Sequence, residues 1–139
     1  MYRVLLPIDD NEERTKRAAN LVADLPGQPE EIGAIVLNVD EPYSVGDGTG
    51  RVSPEEFFDE EDYPDTVGPA LEILEEAGID PEKRRAHGSP SEQILAVADE
   101  VDVDLIAISG RKKSPTGKVL FGSVTQSVIL DADRPVAVA

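Results

Sequence analysis

A glycine-containing loop near the C-terminus carries the residue types that bind anions. Residues 109–124 follow a short apolar run, residues 105–108, and lead into a segment with helical spacing. The first N–H groups of a helix have no intrahelical partner and lie at the positive end of its dipole, so a strand, a glycine loop and a helix N-terminus form a phosphate site. Gly110 and Gly122 would let an anion approach the backbone, and Ser123 adds a hydroxyl donor. The sequence therefore predicts an anion site in this loop.

The charge of the loop supports this interpretation. Residues 111–118 hold Arg111, Lys112, Lys113 and Lys118 and no acid, whereas the whole chain has 29 Asp and Glu against 13 Lys and Arg, a formal net charge of −16. A local reversal of sign in so acidic a chain favours an anionic ligand. The alternative is an ordinary connection whose glycines serve the turn and whose basic side chains are solvated.

Length and composition predict one globular domain spanning residues 1–139. A chain of 139 residues that is 40% hydrophobic can bury a single core. There is no cysteine, which excludes thiol catalysis, disulfides and cysteine–metal sites, and the single histidine, His87, excludes a multi-histidine metal site. No apolar run approaches the about 18 residues of a membrane span, and no signal peptide is recognised, so we expect a cytoplasmic protein.

The acidic balance also bears on partners and solvent. A strongly negative surface repels nucleic acid and anionic membranes, so we expect neither as a partner. Many acids with only five lysines are typical of adaptation to molar salt, which screens the self-repulsion, and this predicts a halophilic source. The run of acids in residues 55–62 belongs to a segment, about 41–62, that we interpret as a mobile acidic loop rather than a cation site.

Apolar runs alternate with segments of helical spacing and predict the order β-α-β-α-β-α-β-α-β. Strands are expected at about residues 2–9, 32–39, 83–87, 105–108 and 135–138. The second helix is expected to begin at about Tyr63, and the third to open with a capping box in which Ser89 caps, Pro90 is the first helical residue and Glu92 completes the box. This alternation requires parallel strands with helices on both faces of one five-stranded α/β sheet.

Ligands of an open parallel sheet bind beyond the C-terminal ends of the strands, where the strand order reverses. If the first strand is central, the ends of strands one, two and four meet there. They present Pro7, Ile8, Asp9, Asp10, Asn38, Val39, Asp40, Ser109 and Gly110. An anion at Gly122 would place its organic portion against Val39 and Pro7, with Asp9 facing a sugar hydroxyl or a metal ion. Capping of the next helix is an equal alternative for the Asp9 carboxylate.

The whole chain resembles the universal stress protein family, the UspA-like proteins. The resemblance is carried by Val4-Leu5-Leu6-Pro7-Ile8-Asp9, by Gly88-Ser89-Pro90, by the strand from Asp104 to Ile108, by Leu120-Phe121-Gly122-Ser123-Val124 and by Arg134-Pro135-Val136. It implies a Rossmann-like fold of the adenine nucleotide alpha hydrolase-like type, with strand order 3-2-1-4-5. It also implies a homodimer paired through the last strand, here Val136, Ala137 and Val138. Together with the acidic composition, it indicates a halophilic archaeon.

One branch of that family binds ATP through Gly-x2-Gly-x9-Gly-Ser/Thr, and this chain departs from the pattern. Counted back from Gly122, the earlier glycine positions fall on Lys112 and Ser109, and Gly110 matches only with a one-residue shift that puts Lys113 second. Lysine there either closes the phosphate cradle or replaces its backbone donors with a point charge. The resemblance implies nucleotide contacts at Asp9, Val39, Gly122, Ser123 and Val124, and at Gly110 with the shift. Combined with the strand ends and the basic loop, this predicts an ATP site, with Asp9 as the candidate Mg²⁺ ligand, that consists of Pro7, Ile8, Asp9, Val39, Ser109, Gly110, Arg111, Lys112, Lys113, Gly122, Ser123 and Val124.

Three functions follow from these patterns. The first is a cytoplasmic stress-response protein that binds ATP and hydrolyses it at most slowly. The second is a dimeric interaction or scaffold protein of the same fold without nucleotide, whose basic loop docks a partner. The third, an enzyme acting on phosphate compounds through Asp9 and a metal ion, is the weakest because no nucleophile and base are paired in a recognisable pattern. No catalytic residue is predicted.

Overall fold

The computed structural model describes residues 1–41, 63–110 and 121–139. Within them the chain forms five strands: β1 (Tyr2–Ile8), β2 (Ile32–Asp40), β3 (Pro81–His87), β4 (Leu105–Ile108) and β5 (Val136–Val138). It also forms four α-helices, namely α1 (Glu12–Ala23), α2 (Val67–Glu76), α3 (Pro90–Val101) and α4 (Ser123–Asp131), with a 3₁₀ turn at Pro29–Glu31. The predicted alternation of strands and helices is confirmed. The predicted acidic loop lies, from residue 42 onward, outside the described residues.

The strands form one parallel sheet in the order β3-β2-β1-β4-β5. β1 is central and pairs along its whole length with β2, from Tyr2 opposite Ile32 to Ile8 opposite Asn38. On its other side β1 pairs with β4 only at Val4 and Leu5. The predicted strand order is therefore confirmed. The chain passes outward in opposite directions from β1, so the switch point lies between β1 and β4, where ligands bind in this architecture.

Pro7 lies inside the central strand, a position that a proline rarely occupies because it has no N–H to donate. The pairing of β1 with β4 ends at Leu5, two residues before Pro7. Pro7 therefore lies beyond the part of β1 that pairs with β4. Its missing N–H removes no hydrogen bond between these two strands. The same early separation leaves room beside the end of β1.

Two apolar cores cover the two faces of the sheet. The first packs α1 and α2 against one face, and its fully buried members include Val4, Leu6, Val22 and Leu74. The second packs α3 and α4 against the other face around Leu5, Leu37, Ile106 and Val128. Successive residues of β1 thus enter opposite cores, which is why this strand reads as an unbroken apolar run.

One predicted helix start and one predicted cap differ from the structure. α2 begins at Val67 rather than near Tyr63, because Tyr63 precedes Pro64, a position that disfavours helical backbone. Ser89 is the N-cap of α3 and Pro90 its first residue, as predicted, but the Ser89 side chain makes no capping hydrogen bond, so the predicted capping box does not form. No helix in the described ranges combines the length and apolar character needed to span a membrane.

Arg134, in the connection from α4 to β5, closes the C-terminal end of α3. Its Nη1 donates to the carbonyl of Ala98 at 3.0 Å and to that of Val103 at 2.7 Å, and its Nη2 donates to the Asp99 carboxylate at 2.7 Å. The Arg134 side chain is 14% exposed. The Ala98 carbonyl also accepts from the N–H of Val103 at 3.1 Å, so Arg134 adds a charged donor to a carbonyl already within the helix cap. A cation at this position also complements the negative end of the helix dipole.

Candidate functional site

A cleft of about 620 Å³ opens at the C-terminal edge of the sheet. It extends from the end of β3, across β2 and β1, to the end of β4 and the first turn of α4. Six of the twelve residues of the predicted ATP site line it: Pro7, Ile8, Asp9, Val39, Ser109 and Val124. The other strand-end residues Asp10, Asn38 and Asp40 line it as well. The prediction that the ends of strands one, two and four meet the N-terminus of the last helix therefore matches the described geometry.

Of the other six residues of the predicted ATP site, the structure describes three. Gly110 follows β4 and is buried, while Gly122 and Ser123 are the N-cap and first residue of α4. None of these three is among the described residues that line the cleft, although Gly110 adjoins Ser109 and Ser123 adjoins Val124, which do line it. Arg111, Lys112 and Lys113 lie outside the described residues, so their predicted contact with a ligand stays a prediction.

The N-terminus of α4 faces the cleft through Val124 and Thr125. Its cap is Gly122, which has no side chain to occupy the space in front of the first-turn N–H groups. Thr125 is buried, and its Oγ1 donates to the carbonyl of Ser109 at 3.0 Å, which fixes the helix start against the end of β4. A helix start that is capped by glycine, anchored and directed at a cleft can bind a phosphate group.

Asp9 lies at the end of β1, where its carboxylate is already engaged. Oδ1 accepts from the N–H of Asn11 at 2.9 Å, and Oδ2 accepts from Nε of Arg14 at 2.9 Å. The capping role goes instead to Asn11, whose Oδ1 accepts from the N–H of Arg14 at 2.9 Å. The backbone carbonyl of Asp9 accepts from Thr66 Oγ1 at 2.6 Å, so residues of α1 and the start of α2 hold Asp9 in place.

The predicted role of Asp9 as a Mg²⁺ ligand competes with its Arg14 contact. Within the described residues, no group of three His, Cys, Asp or Glu side chains is placed to hold a metal ion. Mg²⁺ in nucleotide sites uses one or two carboxylates together with substrate phosphates. The residues at this edge therefore fit a nucleotide better than a metal ion bound by protein alone, and the Asp9 ligand stays a prediction.

A hydrogen-bonded array joins the ends of β2 and β3 at the far end of the cleft. Arg85 Nε donates to Asn38 Oδ1 at 3.0 Å, and Arg85 Nη2 lies 3.4 Å from Asp40 Oδ1. His87 Nδ1 lies 3.1 Å from Asp40 Oδ2. Gly88, whose φ of 139° requires glycine, donates its N–H to the carbonyl of Asp40 at 3.0 Å. Asp40 is thus held by three residues at or just after the end of β3: Arg85, His87 and Gly88.

The sequence analysis missed Arg85 as a cleft residue. The signal that would have found it is the parallel register, in which Arg85 lies opposite Asn38 and His87 opposite Asp40. Both pairs occupy alternate positions of neighbouring strands and so share one face of the sheet. Tyr63 and Pro64 also line the cleft, and Lys83 Nζ lies 4.9 Å from the centre of the Tyr63 ring.

Gly110 is held from both sides at the start of the basic loop. Its carbonyl accepts from Nη2 of Arg17 on α1 at 2.8 Å, and its N–H donates to the carbonyl of Ala139 at 3.0 Å. The N–H of Ala139 in turn donates to Ile108 at 2.9 Å, continuing the pairing of β4 with β5. The residue that opens the loop is therefore fixed to both α1 and the end of β5.

The fold and the cleft together define a class: a five-stranded parallel α/β domain of order 3-2-1-4-5 with a ligand cleft at its switch point. The family model described as "Universal stress protein family" matches residues 1–139, the whole chain. The chain belongs to the universal stress protein family.

Individual relatives agree with this assignment. A universal stress protein from Mycolicibacterium smegmatis is 32% identical over 81 residues, which are 58% of this chain and 55% of that protein. The chain spans about half the length of the curated relatives it matches. The halophilic source stays a prediction from composition.

Solved structures match over nearly the full chain. A universal stress protein from Archaeoglobus fulgidus has a TM-score of 0.73 and 29% identity, covering 99% of this chain and 98% of that one. A universal stress protein from the same organism, solved in complex with dAMP, has a TM-score of 0.71 and 25% identity, covering 99% and 97%. These similarities support the adenine nucleotide alpha hydrolase-like α/β fold that the resemblance implied.

Proposed function

We propose that this protein binds an adenine nucleotide, ATP with Mg²⁺, in the cleft at the C-terminal edge of the sheet, and serves a regulatory role in the cytoplasmic stress response. The observation that carries the proposal is the glycine-capped start of α4, directed into a cleft of about 620 Å³ whose opposite end is the β2 terminus. The family assignment and the dAMP complex of the Archaeoglobus fulgidus protein support the choice of an adenine nucleotide.

The nucleotide's phosphates belong at the N-terminus of α4, on the N–H groups that follow Gly122. Its sugar belongs over the end of β1, where Asp9 accepts a hydroxyl hydrogen bond. Its base belongs against Val39 and Pro7, the apolar residues at the ends of β2 and β1 that line the cleft. In this orientation the N–H donors of α4 bind the phosphates, and the apolar surface of Val39 and Pro7 contacts the base.

We propose that the basic loop brings positive charge to the phosphate end of the cleft. Among its described lining residues are four acids, Asp9, Asp10, Asp40 and Glu41, which repel a polyphosphate. We propose that Arg111, Lys112 and Lys113 offset this repulsion and that a lysine at the second glycine position is itself a phosphate ligand. On this proposal the altered glycine pattern changes the kind of phosphate contact rather than removing it.

Nucleotide content tests the proposal. The protein is purified in molar KCl with Mg²⁺ and denatured, and the released small molecules are separated by ion exchange with detection at an adenine absorbance. Near-stoichiometric ATP or ADP is expected, because the proposed site offers a nucleotide both the N–H donors of α4 and the apolar surface of Val39 and Pro7. Empty protein that also fails to bind added ATP in the same salt would contradict the proposal and favour the scaffold function.

We also propose a homodimer paired through Val136, Ala137 and Val138 of β5. β5 is the last strand of the described sheet, with β4 as its one neighbour there, so its outer edge presents backbone groups to a second strand. On the adjoining α4, Leu130 is 73% and Ile129 38% exposed. Apolar side chains beside an open edge are typical of a self-pairing surface, because both would be covered in one step.

Sedimentation equilibrium in molar KCl should give twice the monomer mass. Leu130→Glu is expected to shift the population toward monomer, because it places a like charge at the interface of each copy. Tyr2→Glu is a matched control, since Tyr2 is also an exposed apolar residue but begins β1, the central strand, which β4 separates from β5. A monomer at all concentrations would remove the dimer proposal.

A further inference from the structure

Arg85 is the only basic residue among the described residues that line the cleft. It lies on the edge strand β3, yet its side chain is only 10% exposed. Burying a guanidinium is costly unless its N–H groups are satisfied, and here Nε and Nη2 face Asn38 Oδ1 and Asp40 Oδ1. The side chain is therefore fixed before any ligand arrives.

The position of Arg85 in the sheet separates it from the phosphate end of the cleft. The order β3-β2-β1-β4 places three strand spacings between Arg85 and the end of β4 beside α4. At about 4.8 Å each, this is about 14 Å. A nucleotide with its phosphates on α4 would therefore extend away from them toward β2 and β3. Arg85 lies at the base end of such a ligand.

The geometry of the guanidinium decides which contact it can make there. Its N–H groups point outward in its own plane, and two of them are directed at Asn38 and Asp40. The flat faces of a guanidinium stack on aromatic rings, and a planar group held in place loses little freedom when it does so. A lysine at the same position would keep the charge but has no plane to stack.

We propose that Arg85 is a base-contacting residue of this cleft, which stacks its guanidinium on the heterocyclic base of the bound nucleotide. The proposal rests on the nucleotide binding proposed above and adds a residue that neither the sequence pattern nor the strand-end rule identifies. Asn38 and Asp40 are positioning residues for it. The charge of Arg85 is balanced by Asp40, so its contribution lies in the planar contact rather than in attraction to phosphate.

Two ligands and two variants test the proposal by calorimetry in molar KCl. AMP and ribose 5-phosphate share a sugar and a phosphate, but only AMP has a base. Arg85→Lys and Arg85→Met are each expected to weaken AMP binding about tenfold, in the range of a desolvated cation–π contact, and to leave ribose 5-phosphate binding unchanged. Arg84→Lys is the matched control, because Arg84 is the adjacent residue of β3 but pairs with Glu100 of α3.

Each other outcome overturns the proposal in a recognisable way. If Arg85→Lys binds AMP like wild type, the charge of Arg85 and not its planar face contributes to AMP affinity. If both variants weaken the binding of AMP and of ribose 5-phosphate equally, Arg85 has a purely structural role. Wild-type protein that binds neither ATP nor AMP overturns the proposed function together with this inference, whereas wild-type binding that both Arg85 variants retain overturns the inference only.

Discussion

Gly122→Val is expected to weaken nucleotide binding about 100-fold, or about 3 kcal/mol, while the protein stays folded. Gly122 has φ −71° and ψ 166°, an extended conformation that any residue adopts, so valine introduces no backbone strain. What it introduces is a branched side chain in front of the first-turn N–H groups of α4. A phosphate held at that point by charge-assisted hydrogen bonds could no longer approach them.

Calorimetric titration with ATP measures the effect, with circular dichroism as the check on folding. Gly68→Val is the matched control, because Gly68 lies in the first turn of α2 with open space around its Cβ position. That variant should bind ATP like wild type. If Gly122→Val also binds like wild type, the phosphates are not at the start of α4, and the orientation proposed for the ligand is wrong.

Arg134→Ala is expected to lower the free energy of unfolding by about 2–4 kcal/mol, the range for losing hydrogen bonds from a charged and largely buried group. The substitution removes the donor to the carbonyls of Ala98 and Val103 and leaves both with fewer partners. It also removes the cation from the C-terminal end of α3, which has no basic residue in its last turn. Urea denaturation followed by circular dichroism measures the change.

Two further variants test whether the loss of stability in Arg134→Ala comes from its particular hydrogen bonds. Arg84→Ala removes another arginine–carboxylate pair, with Glu100, but both side chains are substantially exposed, so a loss of less than about 1 kcal/mol is expected. Arg134→Lys keeps the charge but not the fork of donors, so it should fall between wild type and Arg134→Ala. Equal losses for Arg84→Ala and Arg134→Ala would mean that the cap adds nothing beyond a surface ion pair.

Most of the fold could be predicted because its strands are buried on both faces. β1, β2 and β4 are apolar runs without alternation, as expected for a parallel sheet covered by helices. β3 has no such run, and its sequence, Pro81 to His87, is polar because it is a sheet edge. The helix starts were less predictable. The capping signal at Ser89 is a matter of one side-chain rotamer, which the residue type alone does not determine.

The residues of the candidate site that depend on strand order could be predicted from the sequence. Those that depend on the register between two strands could not. The ends of β1, β2 and β4 converge in any sheet of this order, so Asp9, Val39 and Ser109 were placed correctly at the cleft. Arg85 reaches the cleft only because β2 and β3 pair so that it lies opposite Asn38. A shift of one residue would turn its side chain to the other face of the sheet, and composition does not fix that shift.

The hydrogen bond from Gly110 to Ala139 connects the places of two proposed functions. One end of that bond precedes the loop that leads to α4, and the other extends the ladder of β5, the strand proposed to pair with a second copy. If nucleotide binding displaces Gly110, we expect the proposed dimer edge to be affected through this bond. Linkage is reciprocal, so the factor by which nucleotide changes the dimerisation constant must equal the factor by which dimerisation changes nucleotide affinity.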